Sequence, residues 1–197
     1  MRLDPRHIGA EFLGTALLVM SVVGSGIMAQ NLTQDVGLQL LANAIATGGA
    51  LLGLITIFAP LSGASFNPVV TAVMSVADRN VSVPAIASDI IAQCAGAVVG
   101  AVVANVMFAH PFIETSSKIR TGGPTWFSEV VATVGLLLII RGGQRAGANV
   151  AALVAAWITG AYWFTSSTSI ANPAWGSEGC SLIRSLASHQ NHGQCLP

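Results

Sequence analysis

The chain has 197 residues, of which 8% are charged, and its formal net charge is zero. An average globular protein carries roughly 25% charged residues. A hydrophobic content of 53% and a mean hydropathy of +0.70 therefore exclude an ordinary soluble domain and indicate a polytopic membrane protein. The neutral charge balance offers no electrostatic reason to expect nucleic acid or an acidic partner.

Arg2 and Arg6 precede an apolar run from Ile8 to Met28. That run is about 20 residues, the length of a span and long for the core of a signal peptide. Further spans are expected at Leu38–Ile57, Val83–Phe108, Trp126–Ile140 and Val150–Phe164, the last two extending a few residues either way. Gly and Ala crowd these runs, as in Gly48-Gly49-Ala50, Gly96-Ala97 and Gly100-Ala101, and mark faces where helices approach closely. Cys94 lies in such a run and reads as a small packing residue.

The stretch Ser62-Gly63-Ala64-Ser65-Phe66-Asn67-Pro68-Val69-Val70-Thr71 interrupts this pattern. Asn is a good helix N-cap and Pro suits the first helical turn, so a short helix is expected from Asn67 through about Val76. A helix of that length cannot cross a bilayer. If it begins at membrane depth, its positive dipole end and free N–H groups must be buried in protein or face a wet cavity. The same signal returns at Ser169-Ile170-Ala171-Asn172-Pro173-Ala174.

The segment around Glu11, Ala10-Glu11-Phe12-Leu13-Gly14-Thr15, is similar to Ser128-Glu129-Val130-Val131-Ala132-Thr133. Each opens an apolar span with a Glu and each precedes an Asn-Pro, which suggests two units of opposite orientation with a site between them. A carboxylate within a membrane costs at least about 2.5 kcal/mol. Glu11 and Glu129 are therefore expected to be structural supports, accepting hydrogen bonds from broken-helix N–H groups. Arg2, Arg6, Arg79, Arg141 and Arg145 fall on one side if the Asn67 helix dips in and returns, which places the N-terminus in the cytoplasm. Lys118 and Arg120 fall on the other side and count against that rule.

These residues resemble the major intrinsic protein family, the aquaporins and glycerol facilitators, from Arg6 through about Ala174. The carrying motifs are the Glu11 and Asn67 stretches, Ala92-Gln93 with Gly96-Ala97, and Asn172-Pro173-Ala174. The resemblance implies an all-α membrane protein, an inverted-repeat bundle whose two half-helices meet at the bilayer centre. It implies a homotetramer in the lipid bilayer, passive flow of water or small neutral solutes, no enzymatic activity and no cofactor. The pore motifs would be Asn67, Pro68 and Val69 with Asn172, Pro173 and Ala174. Counting from the two Asn residues puts Thr47 and Gly160 in the outer filter, where relatives use bulkier groups. Both are small, which suggests a wide filter for glycerol or neutral metalloid acids such as arsenous acid. Where most relatives carry Arg, the filter position after the second box is Trp175.

On this plan residues 1–174 form the channel, with repeat one about 1–110 and repeat two about 125–174. Residues 175–197 form a divergent tail that reads as a truncated or out-of-frame end. Five full spans are then present and the sixth is missing. The alternative to a conducting channel is a non-conducting membrane component that assembles or interferes with full-length channels. His189, His192, Cys180 and Cys195 match no zinc spacing, so no metal is expected. A Cys180–Cys195 disulfide on the outer side is an open alternative. The expected location is the inner membrane, multi-pass.

Overall fold

In a computed structural model, residues 4–79, 82–111 and 123–166 are described. They form six α-helices: α1 (Pro5–Leu32), α2 (Val36–Ser62), α3 (Pro68–Ala77), α4 (Val83–Met107), α5 (Gly123–Arg145) and α6 (Val150–Phe164). Helices α1, α2, α4 and α5 are long and apolar enough to cross a membrane.

The boundaries follow from caps. The Asp4 carboxylate accepts from Arg6 N at 2.9 Å with Pro5 opening α1, and Asp35 accepts from Leu38 N at 2.9 Å to open α2. These polar residues lie outside the apolar runs, so α1 extends beyond its run at both ends and α2 begins before Leu38. Helix α5 extends past Trp126 and Ile140 at its two ends, as expected. Helix α6 does not, and the extension expected for it is corrected here. Asn149 caps its start, accepting from Ala152 N at 3.0 Å. Thr165 leaves helical geometry at its end, and its hydroxyl turns back to donate to the Ala161 carbonyl at 2.6 Å. The resulting 15 residues span about 22 Å, less than the roughly 30 Å of a hydrocarbon core.

Small residues bring the helices together. On α4, Gly96 and Gly100 face the α1 backbone so closely that a Cβ would collide with the carbonyls of Phe12 and Ala16. Ala97, Ala101 and Ala104 are fully buried along the same seam, packed with Val19 and Val23. Gly48 on α2 receives Thr159 of α6, and Gly135 on α5 receives the Trp157 ring, whose Nε1 donates to the Ala132 carbonyl at 3.1 Å. Without a hydrophobic drive between helices in lipid, close approach and dispersion supply the attraction. Large apolar residues stand on the outside, among them Ile45 and Ile57 on α2 and Val130, Val134 and Leu138 on α5. In water this exterior would aggregate, whereas lipid solvates it. Cys94 is a free thiol, half-buried on α4.

Candidate pore

Between α2 and α3 the chain makes an irregular turn. Gly63 closes α2 with φ +85°, and Ala64 and Phe66 adopt φ +51° and +47°. Left-handed backbone is unfavourable for these two residues by roughly 1–2 kcal/mol each. One buried side chain holds the turn. Glu11 is 1% exposed, and its Oε1 accepts from Ser62 Oγ at 2.5 Å and Ser65 N at 3.1 Å. Its Oε2 accepts from Phe66 N at 2.8 Å and Gln93 Nε2 at 2.8 Å. Gln93 Nε2 also donates to Thr71 Oγ1 at 2.9 Å. One carboxylate thereby ties α1 to the turn, and Gln93 adds α3 and α4. Phe66 lies over Gly14, where a Cβ would strike its ring, and meets Phe58 edge-on at 6.0 Å.

The turn delivers Asn67 to the start of α3. Its Oδ1 accepts from Val69 N at 3.0 Å and Val70 N at 3.5 Å, with Pro68 in the first turn. Oδ1 serves the cap, and the amide Nδ2 is the donor group of this side chain. Asn67 lines a cavity of about 640 Å³. The walls are mostly apolar, from Leu18, Leu51, Ile55, Leu136, Val154 and Ile158. A few polar groups on an apolar wall let a neutral solute pass with weak, local hydrogen bonding.

Polar groups collect at one end of the cavity. His7 Nε2 and Asp89 Oδ2 lie 3.0 Å apart, linking the starts of α1 and α4. Asp78, just after α3, takes Arg141 from α5 at 2.7 Å. His7, Asp78, Asp89, Gln144 and Asn149 all line this mouth. The sequence reading singled out neither the His7–Asp89 pair nor the Glu11–Gln93–Thr71 network. A signal existed for both, since Asp89 and Gln93 are polar residues inside an apolar span.

Thr47 lines the cavity, and its hydroxyl meets Asn43 and Tyr162. Helix α6 lines it with Val150, Ala151, Val154 and Ile158, and that lining stops short of Gly160. Gly160 is half-buried, and an added Cβ would meet only the Phe164 ring at 3.8 Å. Glu129 is half-buried near the start of α5. Asn172, Pro173, Ala174, Trp175 and the tail with Cys180, His189, His192 and Cys195 lie outside the described residues. Among the described residues no group of three or more His, Cys, Asp or Glu side chains could hold a metal.

Helices long and apolar enough to cross a membrane, around a short capped helix that opens on a lumen, fit a channel-type membrane protein. The profile of the major intrinsic protein family matches residues 4–182, and the chain belongs to that family. It is 51% identical over 170 residues to aquaglyceroporin AqpS of Rhizobium meliloti, covering 86% of this chain and 72% of that relative. It is 33% identical over 96 residues to Aquaporin-4 of Mus musculus, covering 49% of this chain and 29% of that relative. The fold is that of the aquaglyceroporin from Plasmodium falciparum, with a TM-score of 0.66 at 20% identity, over 94% of this chain and 91% of that one. Members of the family are membrane channels, not enzymes.

Proposed function

We propose that this protein is an aquaglyceroporin-type channel that passes glycerol or neutral metalloid acids such as arsenous acid, together with water. The observation that carries this reading is Asn67: a buried half-helix cap that can offer amide donors to a lumen of about 640 Å³ with apolar walls. The positive end of α3 at the same place disfavours cations and protons. Thr47 leaves the outer lumen wide where a bulky group would narrow it. Asn172, Pro173 and Ala174 form the matching box, Trp175 takes the filter position after it, and Glu129 supports the second turn as Glu11 supports the first. Repeat one is then about 1–110 and repeat two about 125–174, followed by the tail at 175–197. The protein sits in the inner membrane with its N-terminus in the cytoplasm, as a homotetramer.

Stopped-flow light scattering on vesicles holding Thr47→Trp tests this. A large ring at a lumen-lining position should slow glycerol more than water. Equal slowing, or none, would remove Thr47 from the filter. Absence of any solute flux from the unmodified chain would favour the non-conducting component instead.

A further inference from the structure

The positive end of α3 disfavours cations and protons, and by the same field it attracts anions. A channel for neutral solutes therefore needs a second barrier, of negative sign. Of the described residues that line the lumen, His7, Asp78 and Asp89 alone can ionise, and none carries a fixed positive charge. All three lie at the polar mouth. The Asp78 side chain is 52% exposed, and Arg141 cancels its charge at 2.7 Å. Asp89 differs. It is 8% exposed, so little bulk water screens its charge. Its partner among the described residues is His7, whose Nε2 lies 3.0 Å from Oδ2.

The surrounding elements leave this pair to itself. Helices α2 and α6 carry no charged side chain, and Asp89 is the one charged residue of α4. On α1, Asp4 and Arg6 stand outside the lumen lining, and Glu11 is spent on the turn. Arg79 follows Asp78 and Arg145 ends α5, and neither lines the lumen. Glu129 lies toward the opposite end of α5.

We propose that Asp89 is an anion guard: its carboxylate repels anions from the mouth of the lumen, and His7 is the partner that releases the guard when it gains a proton. This rests on the reading of a conducting lumen. A charge acts at a distance and needs no contact with the solute. At about 8 Å and an effective dielectric of about 20–40, one unit of charge alters an anion's entry about five- to thirtyfold. Histidine is the side chain that gains charge between about pH 8 and pH 5. With His7 neutral the pair carries one negative charge, and with His7 protonated it carries none. Anion exclusion is then strongest at alkaline pH and weakens as pH falls. A neutral solute has no charge on which either state can act.

The test reads the ratio of chloride to glycerol permeability in vesicles of neutral phosphatidylcholine. Chloride entry is followed by a trapped chloride-sensitive dye with valinomycin and potassium to balance charge, and glycerol by light scattering. At pH 8, Asp89→Asn should raise the ratio about five- to thirtyfold. In the native chain the ratio should rise between pH 8 and pH 5.5, and His7→Gln should abolish that rise. Adding Arg141→Gln to Asp89→Asn uncovers the Asp78 charge and should lower the ratio again, a compensation that damage to the fold would not produce. An unchanged ratio in Asp89→Asn, a pH response kept by His7→Gln, or no reversal by Arg141→Gln would overturn the proposal. Glycerol entry no faster than in protein-free vesicles would instead overturn the conducting lumen, and the guard with it.

Discussion

Replacing Glu11 by Ala is the most informative perturbation of the fold around the lumen. In the native protein its two oxygens accept from Ser62 Oγ, Ser65 N, Phe66 N and Gln93 Nε2. The Ala variant leaves the Ser65 and Phe66 N–H groups without this acceptor, in a turn that also contains left-handed Ala64 and Phe66. A buried donor left unmatched costs about 1–3 kcal/mol, so the two backbone groups together cost about 2–6 kcal/mol. That is comparable with a whole protein's stability margin of about 5–15 kcal/mol. Glu11→Gln should be milder. It keeps one carbonyl oxygen for two donors and turns an amide N–H₂ toward the others, and a serine hydroxyl can reverse whereas a backbone N–H cannot. Its cost should be near the single-donor value of about 1–3 kcal/mol. Thermal unfolding in detergent followed by size exclusion, with the amount accumulated in membranes, should rank native above Gln above Ala. An Ala variant within about 0.5 kcal/mol of native would refute the argument, because ordinary surface changes have effects of that size.

Three further outcomes are expected. Gly96→Val places side-chain atoms where the Phe12 carbonyl already lies, and should destabilise by about 1–3 kcal/mol or more, seen as lost accumulation. Asn67→Asp keeps the cap oxygen but removes the donor and adds negative charge, so glycerol flux should fall and cation leak rise; vesicle flux and conductance would check both. Reporter fusions at Asp78 and Thr121 should read cytoplasmic and outside respectively, and the reverse would sink the proposed orientation.

The helices were largely legible in the sequence because length and hydropathy dictate spans in lipid. The start of α3 was legible for a different reason: Asn67 and Pro68 are chemically out of place between apolar runs unless they open a helix. The turn before it was not. Ala64 and Phe66 carry no local mark of left-handed backbone, and their geometry is held by a carboxylate more than fifty residues away in sequence. Glu11 could be read as a support from its chemistry alone, but its partners Gln93 and Thr71 are set by tertiary packing. The same limit applies to Thr47. Its helix face could be counted, whereas its bond to Tyr162 depends on how α2 meets α6 at Gly48 and Thr159. The span drawn for α6 matches the helix, whereas the extension expected beyond it fails because the Asn149 cap sets its start and the Thr165 hydroxyl its end.

The central claim is that this chain encloses a lumen for neutral solutes, and flux into vesicles containing it alone tests that most directly. Glycerol entry should exceed that of protein-free vesicles, while a pH-sensitive dye trapped inside shows no added proton leak. Glycerol entry equal to that of empty vesicles, with the protein shown to be inserted and intact, would contradict the account.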